Sequence, residues 1–140
     1  MTSLPPELTD SSIFLLAKAY QRAQGLFKQI LKPYGITHLQ HLVLSCLCHE
    51  PGMTAAELGK ALILDKATLS GVIDRLADAG WIIKNGDPGD NRVQRLYNTD
   101  KTNEIAEKLA QASVDLDATF LDGFSLEEKV LLKRLLKCLM

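Results

Sequence analysis

The chain has 140 residues, 46% of them hydrophobic, with 16 Lys+Arg against 17 Asp+Glu and a formal net charge of −1. That length fits one domain, or one domain with appended helices, that composition does not indicate disorder, and the near-neutral balance gives no nucleic-acid signal by charge alone. No apolar run reaches the roughly 18 residues of a membrane span, and the polar start MTSLPPELTD lacks the basic cluster of a signal peptide, so a cytoplasmic location is expected.

In chain order, Pro5-Pro6 reads as extended. Residues 12–31 carry Ile13, Leu16, Ala17, Tyr20, Phe27, Ile30 and Leu31 at helical spacing, a stripe stopped by Pro33 and Gly35. Phe14, Leu15 and Leu26 fall outside it, and a helix apolar on more than one face has more than one thing to bury against, such as a partner subunit. Thr37 and Gln40 form a capping box for a helix built on Leu39, Leu42, Val43, Cys46 and Leu47, closed by Pro51-Gly52. Thr54 and Glu57 form a second box, with Met53 and Leu58 as its staple, for a short helix at about 54–62. Asp65 is the N-cap of the next helix, stapled by Leu64 and Leu69; Leu69, Val72, Ile73 and Leu76 form its buried face and Gly80 its C′ stop.

The period then changes. WIIKNGDPGDNRVQRLYNT holds two short strand-like runs around a turn, with Pro88-Gly89 at the central positions that a type II turn favours. After Thr99 the helical period returns at Ile105, Leu109, Ala112, Leu116 and Phe120, until Gly123 breaks it. Ser125 and Glu128 box the last helix, whose Val130, Leu131, Leu132, Leu135, Leu136 and Leu139 are too apolar for a lone surface helix.

Three cysteines, an odd number without a signal peptide, argue against a disulfide framework. Cys46 and Cys48 form C-x-C beside His49 with no second ligand pair, so Cys46 is expected to be a buried core thiol and no metal or cofactor is expected. No Ser-His-Asp set or phosphate loop is present, which argues against an enzyme.

Two helices joined by a tight turn at residues 62–65 and followed by a hairpin make a winged helix-turn-helix. Such a motif places its second helix in a major groove while the hairpin reaches the minor groove or backbone. With Leu69, Val72, Ile73 and Leu76 inward, that helix turns Lys66, Ala67, Thr68, Ser70, Gly71, Asp74 and Arg75 outward. Small residues admit the helix to the groove floor, hydroxyls bond bases or phosphates, and Lys66 and Arg75 neutralise phosphates. Asp74 dissents. The other reading of the same face is an ordinary solvated surface, on a winged helix that serves protein–protein interaction without specific DNA binding.

The run LGKALILDKATLSGVIDRLADAGWI, followed by DPGDNR and two hydrophobic C-terminal helices, resembles the MarR (multiple antibiotic resistance regulator) family along nearly the whole chain. The resemblance implies a mainly α fold with a small β-hairpin, in which residues 1–140 form a single winged-helix domain. Residues 35–99 are its DNA-binding lobe, and residues 10–32 and 100–140 its N- and C-terminal dimerisation helices. It implies a homodimeric transcription regulator, a repressor released by a small-molecule effector, on a pseudo-palindromic double-stranded DNA operator. Lys66, Thr68, Ser70, Gly71, Arg75, Arg92 and Arg95 are then the DNA-binding residues, with Arg92 as the wing arginine of the minor groove and Asp90 as its support. The wing is read as holding only Arg92 and Arg95 as cations. A small aromatic or phenolic ligand is implied, with Tyr20, Gln24, Phe27, His38 and His41 as pocket candidates that compete with plain core and surface roles. The family's L-T-x-x-G pattern after the wing is replaced by NTDKT, with Asn98 for the Leu and Thr102 for the Gly.

Overall fold

The computed structural model describes residues 3–140. It runs α1 (Pro6–Thr9), α2 (Ser12–Leu31), a 3-10 turn (Lys32–Tyr34), α3 (His38–His49), α4 (Ala55–Leu62), α5 (Lys66–Asp78), β1 (Ile82–Asp87), β2 (Asp90–Asn98), α6 (Asp100–Asn103), α7 (Ala106–Phe120) and α8 (Leu126–Cys138). The polar starts act as their spacing predicts. Thr37, Thr54 and Ser125 each accept the N–H three residues on, and Gln40, Glu57 and Glu128 reach back to the capping N–H. Each such cap satisfies donors that a helix N-terminus otherwise leaves orphaned. Pro5 is extended, but Pro6 opens a one-turn helix instead of continuing it, because proline at N1 has no N–H to lose and a φ already set for the helix.

Two compact units divide the chain. One comprises the N-terminal residues through Ile30 together with Ser113–Met140; the other is Leu31–Ala112. The second unit reaches past residue 99, because Thr102, Leu109 and Ala112 are buried and the His41 Nε2–H donates to the Leu109 carbonyl at 2.7 Å. Its core takes Val43, Leu44 and Leu47 from α3, Leu58 from α4, the predicted Leu69, Val72, Ile73 and Leu76 from α5, and Ile82 and Leu96 from the hairpin. The face of α3 differs from its expected one: Leu39, Leu42 and Cys46 are half-buried, while His41 and Leu44 are inside. A helix covered on several sides has no single stripe for the period to reveal. Burial raises the Cys46 thiol above its ordinary value, although the side chain is half-buried and not the core thiol expected.

The antiparallel hairpin pairs Ile82 with Asn98, Lys84 with Leu96, Asn85 with Arg95 and Gly86 with Gln94. The next pair is Asp87 with Asp90, so Asn91, Arg92 and Val93 stand outside the register. The turn is not type II, because Gly89 does not take the positive φ that type requires. The Asp87 carboxylate accepts the Gly89 N–H at 2.7 Å and closes the tip by a side-chain turn. Outside the hairpin, Gly52 donates to the Leu96 carbonyl at 2.8 Å and Leu96 donates to the Met53 carbonyl at 3.0 Å, which ties the loop before α4 to β2.

The NTDKT stretch proves to be a clamp. Asn98 Nδ2 donates to the Leu44 carbonyl at 3.0 Å, Thr99 Oγ1 to the Gly80 carbonyl at 2.7 Å, and the buried Thr102 Oγ1 to the Trp81 carbonyl at 2.6 Å. Lys101 lies 4.0 Å from the Trp81 ring centroid, a cation–π contact, and donates to the Ala79 carbonyl at 2.8 Å. The long helix expected after Thr99 is therefore interrupted: α6 is one turn and α7 begins only at Ala106. Side-chain bonds to the chain entering β1 hold that first turn apart.

In the other unit, the N-terminal part of the apolar stripe of α2 is not covered. Ile13, Leu15, Leu16 and Tyr20 are exposed, while Phe27 is buried and Leu26 half-buried. On α8, Val130, Leu131, Leu135, Leu136 and Leu139 are exposed as well. No helix among the described residues is long and apolar enough to cross a membrane.

Candidate nucleic-acid interface

The tight turn between α4 and α5 is made by Ile63 in the left-handed region, at φ 55, with Leu64 donating back to the Gly59 carbonyl at 3.0 Å. A β-branched residue holds that conformation only under strain. Two residues later Asp65 caps α5, its Oδ1 accepting the Thr68 N–H at 2.8 Å and its Oδ2 the Thr68 hydroxyl at 2.7 Å. These bonds hold the Asp65 carboxyl below its ordinary value of 3.8. Thr68 therefore spends its hydroxyl proton inside the protein and presents lone pairs and a methyl group outward.

Lys66, Ala67, Thr68, Ser70, Asp74 and Arg75 are exposed on α5, as the sequence places them, and Gly71 is half-exposed among them. A Cβ on Gly71 would meet only Arg75 Nη2, at an ordinary 3.7 Å. Packing inside the chain does not require glycine here. Gly71→Ala is expected to stabilise α5 by about 1 kcal/mol through helix propensity and yet to weaken DNA binding. Thermal melts and binding titrations on the same preparation read both effects, and unchanged affinity would show that nothing approaches this position.

The dissent of Asp74 has a partner ten residues away. Lys84 on β1 donates to it at 2.7 Å, so the acid on the outer face of α5 is paired with a cation of the hairpin. Lys84 is also a hairpin cation that counting only Arg92 and Arg95 leaves out. Between α4, α5 and the hairpin lies a groove of about 650 Å³, lined by Leu64, Leu69 and Leu96 and by Lys60, Lys66 and Lys84.

Arg92 and Arg95 have different surroundings. Arg92 lies in the unpaired stretch of β2 with its side chain 92% exposed, and the Asp90 carboxylate accepts its backbone N–H at 3.0 Å and its Nε–H at 3.2 Å. A bulged strand re-aims its side chains, and here it turns an oriented, solvent-facing guanidinium outward. Arg95 turns inward: its Nε–H donates to Asp87 Oδ2 at 2.8 Å and Nη1 to the Gly52 carbonyl at 2.9 Å. The Gly89 N–H and Arg95 together hold the Asp87 carboxyl below its ordinary value.

The five pocket candidates divide between the two units, and none lines the groove beside α5. Tyr20 and Gln24 are exposed and share a hydrogen bond of 2.7 Å, and Phe27 is buried. His41 is a core histidine, held by the Leu109 carbonyl. Burial, and then His41, push the imidazole of His38 below its ordinary value of 6.5. The unfolded chain therefore binds that proton at higher pH than the folded chain, so stability falls as the pH drops below 6.5 and levels off past the folded value. His38→Gln is expected to flatten this part of the melting-temperature profile; an equally steep profile would assign the slope to other groups. No group of three or more His, Cys, Asp or Glu among the described residues could hold a metal ion.

Comparison with known proteins matches residues 36–93 to the MarR family. The chain is 26% identical over 137 residues to the HTH-type transcriptional repressor NicR of Pseudomonas putida, an alignment covering 98% of this chain and 87% of that protein. A solved probable transcriptional regulator from Pseudomonas aeruginosa is 31% identical, with a TM-score of 0.89 over 95% of this chain and 99% of that one. BpsR of Bordetella bronchiseptica, solved in a study of how 6-hydroxynicotinic acid regulates its DNA binding, is 26% identical with a TM-score of 0.89 over 97% of each chain. Similarity of this extent, on a chain whose α4–α5 turn and hairpin form a winged helix-turn-helix, has one meaning: the protein belongs to the MarR family of transcriptional regulators.

Proposed function

We propose that this protein is a homodimeric repressor that binds a pseudo-palindromic double-stranded DNA operator and is released from it by a small aromatic or phenolic acid. The observation that carries the DNA reading is Arg92: an arginine oriented by Asp90, almost wholly exposed, on the hairpin that follows a helix with a small and polar outer face. Lys66, Ser70, Gly71 and Arg75 meet the major groove, Thr68 meets it as an acceptor, and Arg92 meets the minor groove. The apolar faces of α2 and α8 supply the dimer, which sets two α5 helices one helical turn of DNA apart, about 34–36 Å. An effector then acts by favouring a spacing that fits only one half-site. The repressor name of NicR and the hydroxylated aromatic acid that regulates BpsR support both halves of this reading. Of the five pocket candidates, Tyr20 and Gln24 are exposed and His38 is half-buried, whereas Phe27 and His41 belong to the core.

Selection of bound fragments from the source genome, followed by a screen of hydroxylated aromatic acids for release, tests the proposal. One enriched palindromic site and a releasing acid are expected. Equal, weak retention of every fragment would overturn the operator reading, and an operator that no acid releases would overturn the effector reading.

A further inference from the structure

Spacing groups Arg95 with Arg92 as a wing cation, but its geometry serves another task. A two-stranded hairpin is marginal alone, and this one has three unpaired residues, Asn91, Arg92 and Val93, just after its tip. Arg95 pairs with Asn85 at the near side of that irregular stretch, and its guanidinium leaves the hairpin in two directions. Toward the tip it meets Asp87, whose other oxygen already closes the turn on the Gly89 N–H. Away from the hairpin it meets the Gly52 carbonyl in the loop that opens α4. That carbonyl is itself held in place. Gly52 has φ +86, donates to Leu96, and sits so close to Tyr97 that a Cβ would lie 3.0 Å from the phenol oxygen. A rigid planar fork can satisfy both acceptors at once, which a lysine ammonium on a flexible stem cannot do as firmly.

We propose that Arg95 is a positioning residue and not a phosphate contact: through Asp87 and the Gly52 carbonyl it fixes the wing against the loop before α4, and so sets where Arg92 meets the groove. Paired with Asp87, the guanidinium stays charged, but the pair carries no net charge and its Nε–H and Nη1–H are already spent on Asp87 and the Gly52 carbonyl. This rests on the DNA-binding reading above and adds the part that aims the wing.

The test measures affinity and its salt dependence on the selected operator fragment for Arg95→Met and Asp87→Asn, each with and without Arg92→Ala. In Asp87→Asn the side-chain oxygen still closes the turn on Gly89, but its amide faces the Arg95 Nε–H, donor against donor. Both variants are expected to weaken binding about tenfold with the salt slope unchanged, and to cost little more once Arg92 is alanine, because neighbours that act as a unit do not add. Asp87→Asn is the sharper of the two: it removes a negative charge from the wing, so a charge effect alone predicts tighter binding. Tighter binding by Asp87→Asn would overturn the proposal, as would an Arg95→Met cost that persists beside Arg92→Ala with a salt slope smaller by about 1, the mark of a lost phosphate contact. If the wild-type chain retains no fragment above background, the operator reading fails, and amide hydrogen exchange over residues 86–94 decides the brace by itself. Faster exchange in both variants then supports it, and unchanged exchange overturns it.

Discussion

Leu131→Glu with Leu135→Glu is expected to leave the chain monomeric and to weaken operator binding by about 10²–10⁴-fold, the range lost when a second linked site no longer contributes. The two leucines are four residues apart on one face of α8, and each is 48% exposed in the single chain. Burying the half of each side chain still exposed is worth about 1 kcal/mol each, whereas glutamate in the same place brings four like charges into one symmetric interface. Since neither side chain is part of the core, the variant should keep its helical circular dichroism. Sedimentation supplies the check: a dimer that survives both substitutions would move the interface away from α8.

Arg92→Ala carries the second largest effect. The side chain is exposed and bonds the neighbouring Asp90, so the melting temperature should not move, while operator affinity should fall about 10–100-fold. Arg92→Lys should recover only part of this loss, because a narrow minor groove favours the flat, weakly hydrated guanidinium over the ammonium. Competition with unrelated DNA separates the possibilities: loss confined to the operator marks a reading contact, and an equal loss on all DNA marks a phosphate contact. Wild-type affinity in Arg92→Ala would remove the wing from recognition altogether.

Helix starts were legible in the residues because their physics is local. Thr37 with Gln40, Thr54 with Glu57, Asp65 with Thr68 and Ser125 with Glu128 all close over three residues, so spacing and side-chain type suffice. The α5 core face and the hairpin followed for the same reason, as the period changes from about 3.6 to 2 where the chain changes state. Apolar faces on α2 and α8 were legible as faces, but periodicity records only that something covers them. The exposure of Ile13, Leu16 and Leu131 in the single chain says that the cover is not this chain's own core.

The sequence by itself therefore determined the order of the main helices and the hairpin, the inward face of α5 and the place of Arg92 on the wing. Tertiary structure alone decided what each hairpin cation does. Lys84 neutralises Asp74 across ten residues, Arg95 spans Asp87 and the Gly52 carbonyl, and Arg92, beside Asp90, is left to face outward. Counting charges groups Arg92 with Arg95 and leaves Lys84 out. Their roles diverge because an ion pair depends on which atoms the strand register and its irregular stretch bring within about 3 Å, and register is a property of the folded hairpin.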